Sequence, residues 1–309
     1  MVRRFAPVLL AGVVALAGRS ASAYVRTATT TGAPMYWNRT VMDIVVYVGN
    51  PPPVTTSEEI LTAATEAAAA WSRDQVGCTA LQLRVTDSPE ESASVELDGV
   101  NRVTFRRDEW CKEPRGVDEP CYAMDAMAVT SVFARRNDGE ILDADTEINA
   151  VAGNLWSDLV ARPEDASRAQ DLQNTLTHEF GHFIGMDHTC YLTGDGAGLF
   201  DDHGRPVPSC ADASPAIRET TMFAEVGRGD IDRRTLTTDD LNAVCDVYPP
   251  LDPVLIAESA GCATAPGSRS SFFAALASAV GLLIVVRRRR RAARPRPATG
   301  SSTDPWRPR

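Results

Sequence analysis

The sequence predicts an α+β domain, and three observations carry that expectation. Strand-type runs flank one long helical stripe early in the chain, Asn137-Asp138-Gly139 marks a hairpin, and two helical stretches follow it.

Taken in order, residues 41–48 are rich in β-branched and aromatic side chains and read as a buried strand, punctuated by Pro51-Pro52-Pro53. Ser57 can cap the helix that follows. Ile60, Leu61, Ala64, Ala67, Ala68 and Trp71 fall on one helical face, and Cys78 ends the element. Leu81-Gln82-Leu83-Arg84-Val85 alternates as a second strand, and residues 101–105 form a short third. Residues 108–119 make a charged loop. Stretches 126–134 and 141–148 flank the Asn-Asp-Gly turn as hairpin arms. Residues 163–184 are expected to be a helix in which Leu172, Leu176, Phe180 and Phe183 form an apolar stripe. A last helix spans 236–248, with Thr237 or Thr238 near its cap and Asp239 and Asp240 in its first turn.

The second of these helices carries the chemistry. His178-Glu179-Phe180-Gly181-His182-Phe183-Ile184-Gly185-Met186-Asp187-His188 has the form H-E-x-x-H-x-x-G-x-x-H. His178 and His182 lie one turn apart, so both imidazoles leave the same face and can grip one ion. Gly185 permits a backbone conformation that other residues resist, turning the chain back so that His188 arrives as a third nitrogen ligand. Three protein ligands leave a fourth tetrahedral position for water, the layout of a catalytic zinc site. Glu179 projects beside that position as the general base.

The formal net charge of −10 is unevenly spread. Residues 24–260 hold 18 basic and 40 acidic side chains, which argues against nucleic acid as a partner. Arg3 and Arg4, an apolar run over 5–17 and Ala21-Ser22-Ala23 read as a signal peptide over residues 1–23, so the exported chain begins at Tyr24. The catalytic domain is expected over 24–250, followed by a linker over 251–271 containing Gly261-Cys262. An apolar segment over 272–286 then reads as a transmembrane stretch, and 287–309 as an Arg-rich, disordered cytoplasmic tail. Without Cys262, six of the seven cysteines remain for an oxidising compartment. Spacing suggests Cys111 with Cys121, Cys190 with Cys210 and Cys78 with Cys245, although six cysteines permit roughly 15 connectivities. The fourth histidine, His203, is expected to be an exposed loop residue.

This order of elements, with the full zinc motif, resembles the metzincin metallopeptidases, and best the matrixin branch with its bacterial relatives. The resemblance spans roughly residues 36–248. It implies a zincin fold: a mixed twisted sheet, an active-site helix and a C-terminal helix. Thr220-Thr221-Met222-Phe223-Ala224 resembles the Met-turn, which would place Met222 beneath the metal. The resemblance also implies a sheet edge that pairs with extended substrate, for which residues 126–134 are the candidate. Structural calcium is a further implication, with Asp143, Asp145, Glu147 and Asp195 as oxygen donors. The chain departs from the family in the 33 residues between His188 and Met222, in Ala224 where astacins carry a tyrosine, and in lacking a cysteine-switch pro-segment. At the other end, Gly-Cys, spacer, apolar run and Arg287 to Arg291 resemble the MYXO-CTERM sorting tail of Gram-negative surface proteins. That likeness implies membrane attachment before processing, cleavage near Cys262 by an inner-membrane sorting protease, and delivery to the cell surface, outer membrane or medium.

The function expected is a zinc-dependent endopeptidase acting on extracellular protein or peptide substrates. The alternatives are a surface-displayed binding or adhesion protein with a structural zinc, and a zinc amidase acting on cell-wall peptide.

Overall fold

The computed structural model describes residues 23–192 and 198–250. Its elements in chain order are β1 (Val25–Arg26), β2 (Val41–Tyr47), α1 (Ser57–Trp71), β3 (Gln82–Ser88), β4 (Asn101–Arg106), β5 (Ala128–Ala134) and β6 (Ile141–Asn149). They are followed by β7 (Leu155–Ser157), β8 (Ala169–Asp171), α2 (Leu172–Phe183), β9 (Met186–Asp187), α3 (Pro215–Arg218) and α4 (Thr238–Val247). The main sheet has five strands in the order β3-β2-β4-β6-β5. All are parallel except β5, which runs antiparallel to β6 at one edge. A mixed sheet with few helices is compatible with the α+β class.

Helix α1 starts where Thr56 and Glu59 cap each other reciprocally, so Thr56, not Ser57, is the N-cap. Its buried face is Ile60, Ala64, Ala67, Ala68 and Trp71. The alanines of this face let α1 lie close to α2, and the Trp71 indole N–H donates to the Thr177 carbonyl at 2.8 Å. One face of β2, Met42, Ile44 and Val46, is sealed in the same core, whereas Asp43 on the other face is exposed. The strand is therefore buried on one side only. β6 is buried on both. Ala144 and Ile148 belong to the apolar core, while Asp143, Asp145 and Glu147 meet the loops before β4 and after it.

The helix expected over 163–184 is shorter. Pro163–Asp165 is a separate 3-10 turn, residues 169–171 pair as β8 with β7, and α2 begins only at Leu172. Asp171 sets that start, because its Oδ1 accepts the Asn174 N–H at 2.8 Å. Its carboxylate is itself held by Arg234. At the other end, the Trp37 indole donates to the Phe183 carbonyl at 2.8 Å and the Tyr248 hydroxyl to the Ile184 carbonyl at 2.7 Å. Both ends of α2 are thus fixed by distant parts of the chain.

Three disulfides are present: Cys78–Cys245, Cys111–Cys121 and Cys190–Cys210. The first ties α4 to the turn after α1, and the third closes the long segment between His188 and Met222. Among the described residues no helix is long and apolar enough to cross a membrane. Residues 1–22 of the signal expected over 1–23, the segments expected over 251–309 with Cys262, and Asp195 lie outside the described residues.

Candidate metal centre

Helix α2 carries His178, Glu179 and His182, and Gly185 then turns the chain with φ +89°. A side chain at Gly185 would be strained by that angle, and its Cβ would come within 2.6 Å of the Met35 carbonyl. Only glycine leaves the helix this way, and β9 pairs with β1 immediately afterwards. His188 follows directly. Its Nε2 lies 3.2 Å from that of His178 and 3.1 Å from that of His182.

The protons on these rings can be placed from their partners. His178 Nδ1 lies 2.6 Å from the Thr221 carbonyl oxygen and His182 Nδ1 lies 2.9 Å from that of Met186. A carbonyl only accepts, so both Nδ1 atoms are donors, which turns each Nε2 toward the ion-binding position. Burial and mutual repulsion push His178 well below the usual imidazole range and His188 down to about 3, so these two rings are neutral. Nε2 atoms gathered at 3.1–3.2 Å around that of His188 suit a cation held among them. With zinc–nitrogen bonds of about 2.0–2.1 Å, a tetrahedron has nitrogen edges of about 3.3 Å. The donor set therefore fits zinc in number and spacing.

Glu179 is 4 % exposed on the same helix, and burial raises its carboxyl pKa. Its Oε2 accepts a hydrogen bond of 2.6 Å from the Thr130 hydroxyl on β5. With that proton committed, Thr130 accepts in turn from the Thr146 hydroxyl on β6, 2.9 Å away. A hydroxyl relay from two strands thus aims the carboxylate. Neither threonine was singled out from the sequence.

Met222 is buried beneath α2 at Gly181, where an added Cβ would lie 2.1 Å from its Sδ. The turn it belongs to also supplies the Thr221 carbonyl that holds His178. Thr189, next to His188, donates its N–H to the Met222 carbonyl at 3.0 Å.

Beside the histidines lies a cleft of about 730 Å³, walled by Ala128, Val129, Thr130 and Val132 of β5. β5 is the sheet edge, and among the described residues no backbone group pairs with its outer side. The candidate edge over 126–134 therefore does border the three histidines.

The calcium candidates are placed differently. Asp143 Oδ2 accepts the Asp98 and Gly99 N–H groups, Asp145 Oδ2 accepts that of Glu96, and Glu147 is held by Arg106 and Tyr122. They do not converge with a third donor side chain among the described residues. The one other such group, Glu109 with Cys111 and Cys121, has its sulfurs in a disulfide. His203 is exposed, its ring edge-on to Tyr24.

No family model matches the chain, and no curated protein matches it. Among solved structures, that titled "Structure of Myroilysin" matches at 14% identity over 70% of this chain and 82% of that one, with a TM-score of 0.32. At that score two chains share too little backbone for one to speak for the other.

Proposed function

We propose that the chain is a zinc-dependent endopeptidase of the metzincin type, hydrolysing peptide bonds in extracellular proteins. The observation that carries this reading is the convergence of three histidine Nε2 atoms, with a buried carboxylate on the same helix, at a cleft walled by an unpaired strand edge. His178, His182 and His188 would hold the ion. Zinc in such a site supplies Lewis-acid polarisation of a carbonyl and a lowered pKa for water. Glu179 takes the proton from the attacking water and passes it to the leaving amine. Thr130 keeps the Glu179 carboxylate in one rotamer while it does so. The outer edge of β5 aligns an extended peptide by backbone hydrogen bonds, with side chains alternating toward and away from the cleft.

The proposal includes export through residues 1–23 and surface delivery through the tail around Cys262, both read from sequence. The test is a protein-substrate zymogram of the purified chain, with and without a zinc chelator. Clearing that the chelator abolishes and zinc restores is the expected result. A fully zinc-loaded protein that cleaves no protein substrate would refute the peptidase reading and leave the adhesion protein or the amidase.

A further inference from the structure

Arg233 is an anomaly among the arginines of this domain. It sits in the 3-10 turn Asp232–Arg234, is 8 % exposed, and lines the cleft with Asn174, Thr175, His178 and Glu225. Its backbone N–H donates to Asn174 Oδ1 at 2.7 Å, which fixes the turn to α2 one helical turn before His178. Nη2 donates to the Glu225 carbonyl, and the guanidinium lies 5.8 Å from the centre of the Phe223 ring.

Comparably shielded arginines are paired: Arg234 with Asp158 and Asp171, Arg106 with Glu113 and Glu147, Arg102 with Asp98 and Asp145. Arg233 has no carboxylate within 4.0 Å among the described residues. Asp230, Asp232, Asp240 and Glu225 act on it only through space. Two of those carboxylates are engaged elsewhere, Asp240 by Thr221 and Thr237 and Asp230 by Gly227. Nε and Nη1 carry no hydrogen bond to any described residue. Its two idle nitrogens are not sealed from solvent, whereas Arg102 Nε and Arg106 Nη2 are, so what sets Arg233 apart is an uncompensated charge with free donors at the cleft wall. Its fork matches a carboxylate in shape and charge. It lines the same cleft as His178 and His188.

We propose that Arg233 is a specificity-determining residue: the pocket beside the three histidines takes a substrate side chain that ends in a carboxylate, an aspartate or glutamate adjoining the scissile bond. This rests on the peptidase reading. The acidic surface of residues 24–260 disfavours polyanionic substrates, so the preference is for a single carboxylate at one position.

The experiment is digestion of a proteome-derived peptide library by the zinc-loaded full chain, with cleavage sites read by mass spectrometry. Asp and Glu should be enriched over Asn and Gln by about tenfold or more at one position next to the cut. Arg233→Gln should erase that enrichment yet still cut neutral peptides, and Arg233→Lys should retain part of it. Cleavage without acidic enrichment in the wild-type protein overturns the proposal whatever the variants do, as does enrichment that survives Arg233→Gln. If no peptide is cut, the peptidase reading falls, and the pocket is judged by calorimetry with N-acetyl-glutamate amide against N-acetyl-glutamine amide. Selective binding of the acid, lost in Arg233→Gln, sustains the carboxylate site; equal or absent binding overturns it.

Discussion

Replacing Thr130 by valine removes one hydroxyl and nearly nothing else. The branched shape stays, β propensity is kept, and the backbone that would align substrate is unchanged. What disappears is the 2.6 Å hydrogen bond to Glu179 Oε2. Hydrogen bonds to charged groups contribute about 1.5–3 kcal/mol. If that energy holds the carboxylate in its productive rotamer, kcat falls roughly 10–150-fold. KM should move little, because no proposed substrate contact is touched. The Thr146 hydroxyl loses its acceptor in the same stroke, costing about 1–3 kcal/mol of stability. The assay is steady-state hydrolysis of a quenched-fluorescent peptide at full zinc occupancy, with thermal unfolding in parallel. Thr130→Ser keeps the donor and should recover most of kcat. A Thr130→Val enzyme with unchanged kcat, or a serine variant as impaired as valine, would refute the positioning role.

Further expectations concern the metal, the core and pH. Glu179→Ala should retain zinc by elemental analysis yet lose peptidase activity by several orders of magnitude, whereas His182→Ala should lose the metal itself. Gly181→Ala gains about 1 kcal/mol of helix propensity but drives a Cβ to 2.1 Å from Met222 Sδ, so calorimetry should show a net loss of about 1–3 kcal/mol. Asp145 is pushed up from 3.8 to about 7, chiefly by burial and with Asp143 adding to it. Between those two values the folded state keeps a proton that the unfolded chain releases. Stability therefore falls as pH rises through the window, by up to about 1.4 kcal/mol per pH unit, and is level above it. Denaturation of Asp145→Asn across pH 4–8 should lack this component; an identical slope in both proteins would contradict it.

How much of this was legible in the sequence depends on how local each signal is. His178, Glu179 and His182 declare themselves because helical spacing alone puts them together, and Gly185 because its φ is a property of one residue. Thr130 was hidden by a single irregularity. Counting back from the Asn-Asp-Gly turn through Ala134 opposite Ile141 would set Thr130 against Asp145. A register shift between Phe133 and Ala134 sets it against Thr146 instead. One extra residue thus moves a hydroxyl, not a carboxylate, into line with Glu179. The start of α2 was misread for a similar reason. Residues 163–171 lack a helix breaker strong enough to reveal that 169–171 pair with β7, and Asp171 becomes a cap only once Arg234, far along the chain, has turned it. Arg233 had no sequence signal at all, because its lack of a partner is a property of packing.

The same distance dependence explains why the last helix belongs to the three-histidine site. Asp240 Oδ2 caps α4 by accepting the Thr237 N–H and hydroxyl, and it also accepts the Thr221 N–H at 3.0 Å. Thr221 is therefore held on its N–H side by α4 while its carbonyl fixes the His178 tautomer at 2.6 Å. The next residue, Met222, fills the space that Gly181 leaves under the helix. α4 is in turn anchored to the turn after α1 by Cys78–Cys245. The orientation of the His178 ring is thus specified by a chain of contacts running from the disulfide through the α4 cap to one carbonyl. Disturbing α4 would therefore loosen the carbonyl that fixes which nitrogen of His178 carries its proton.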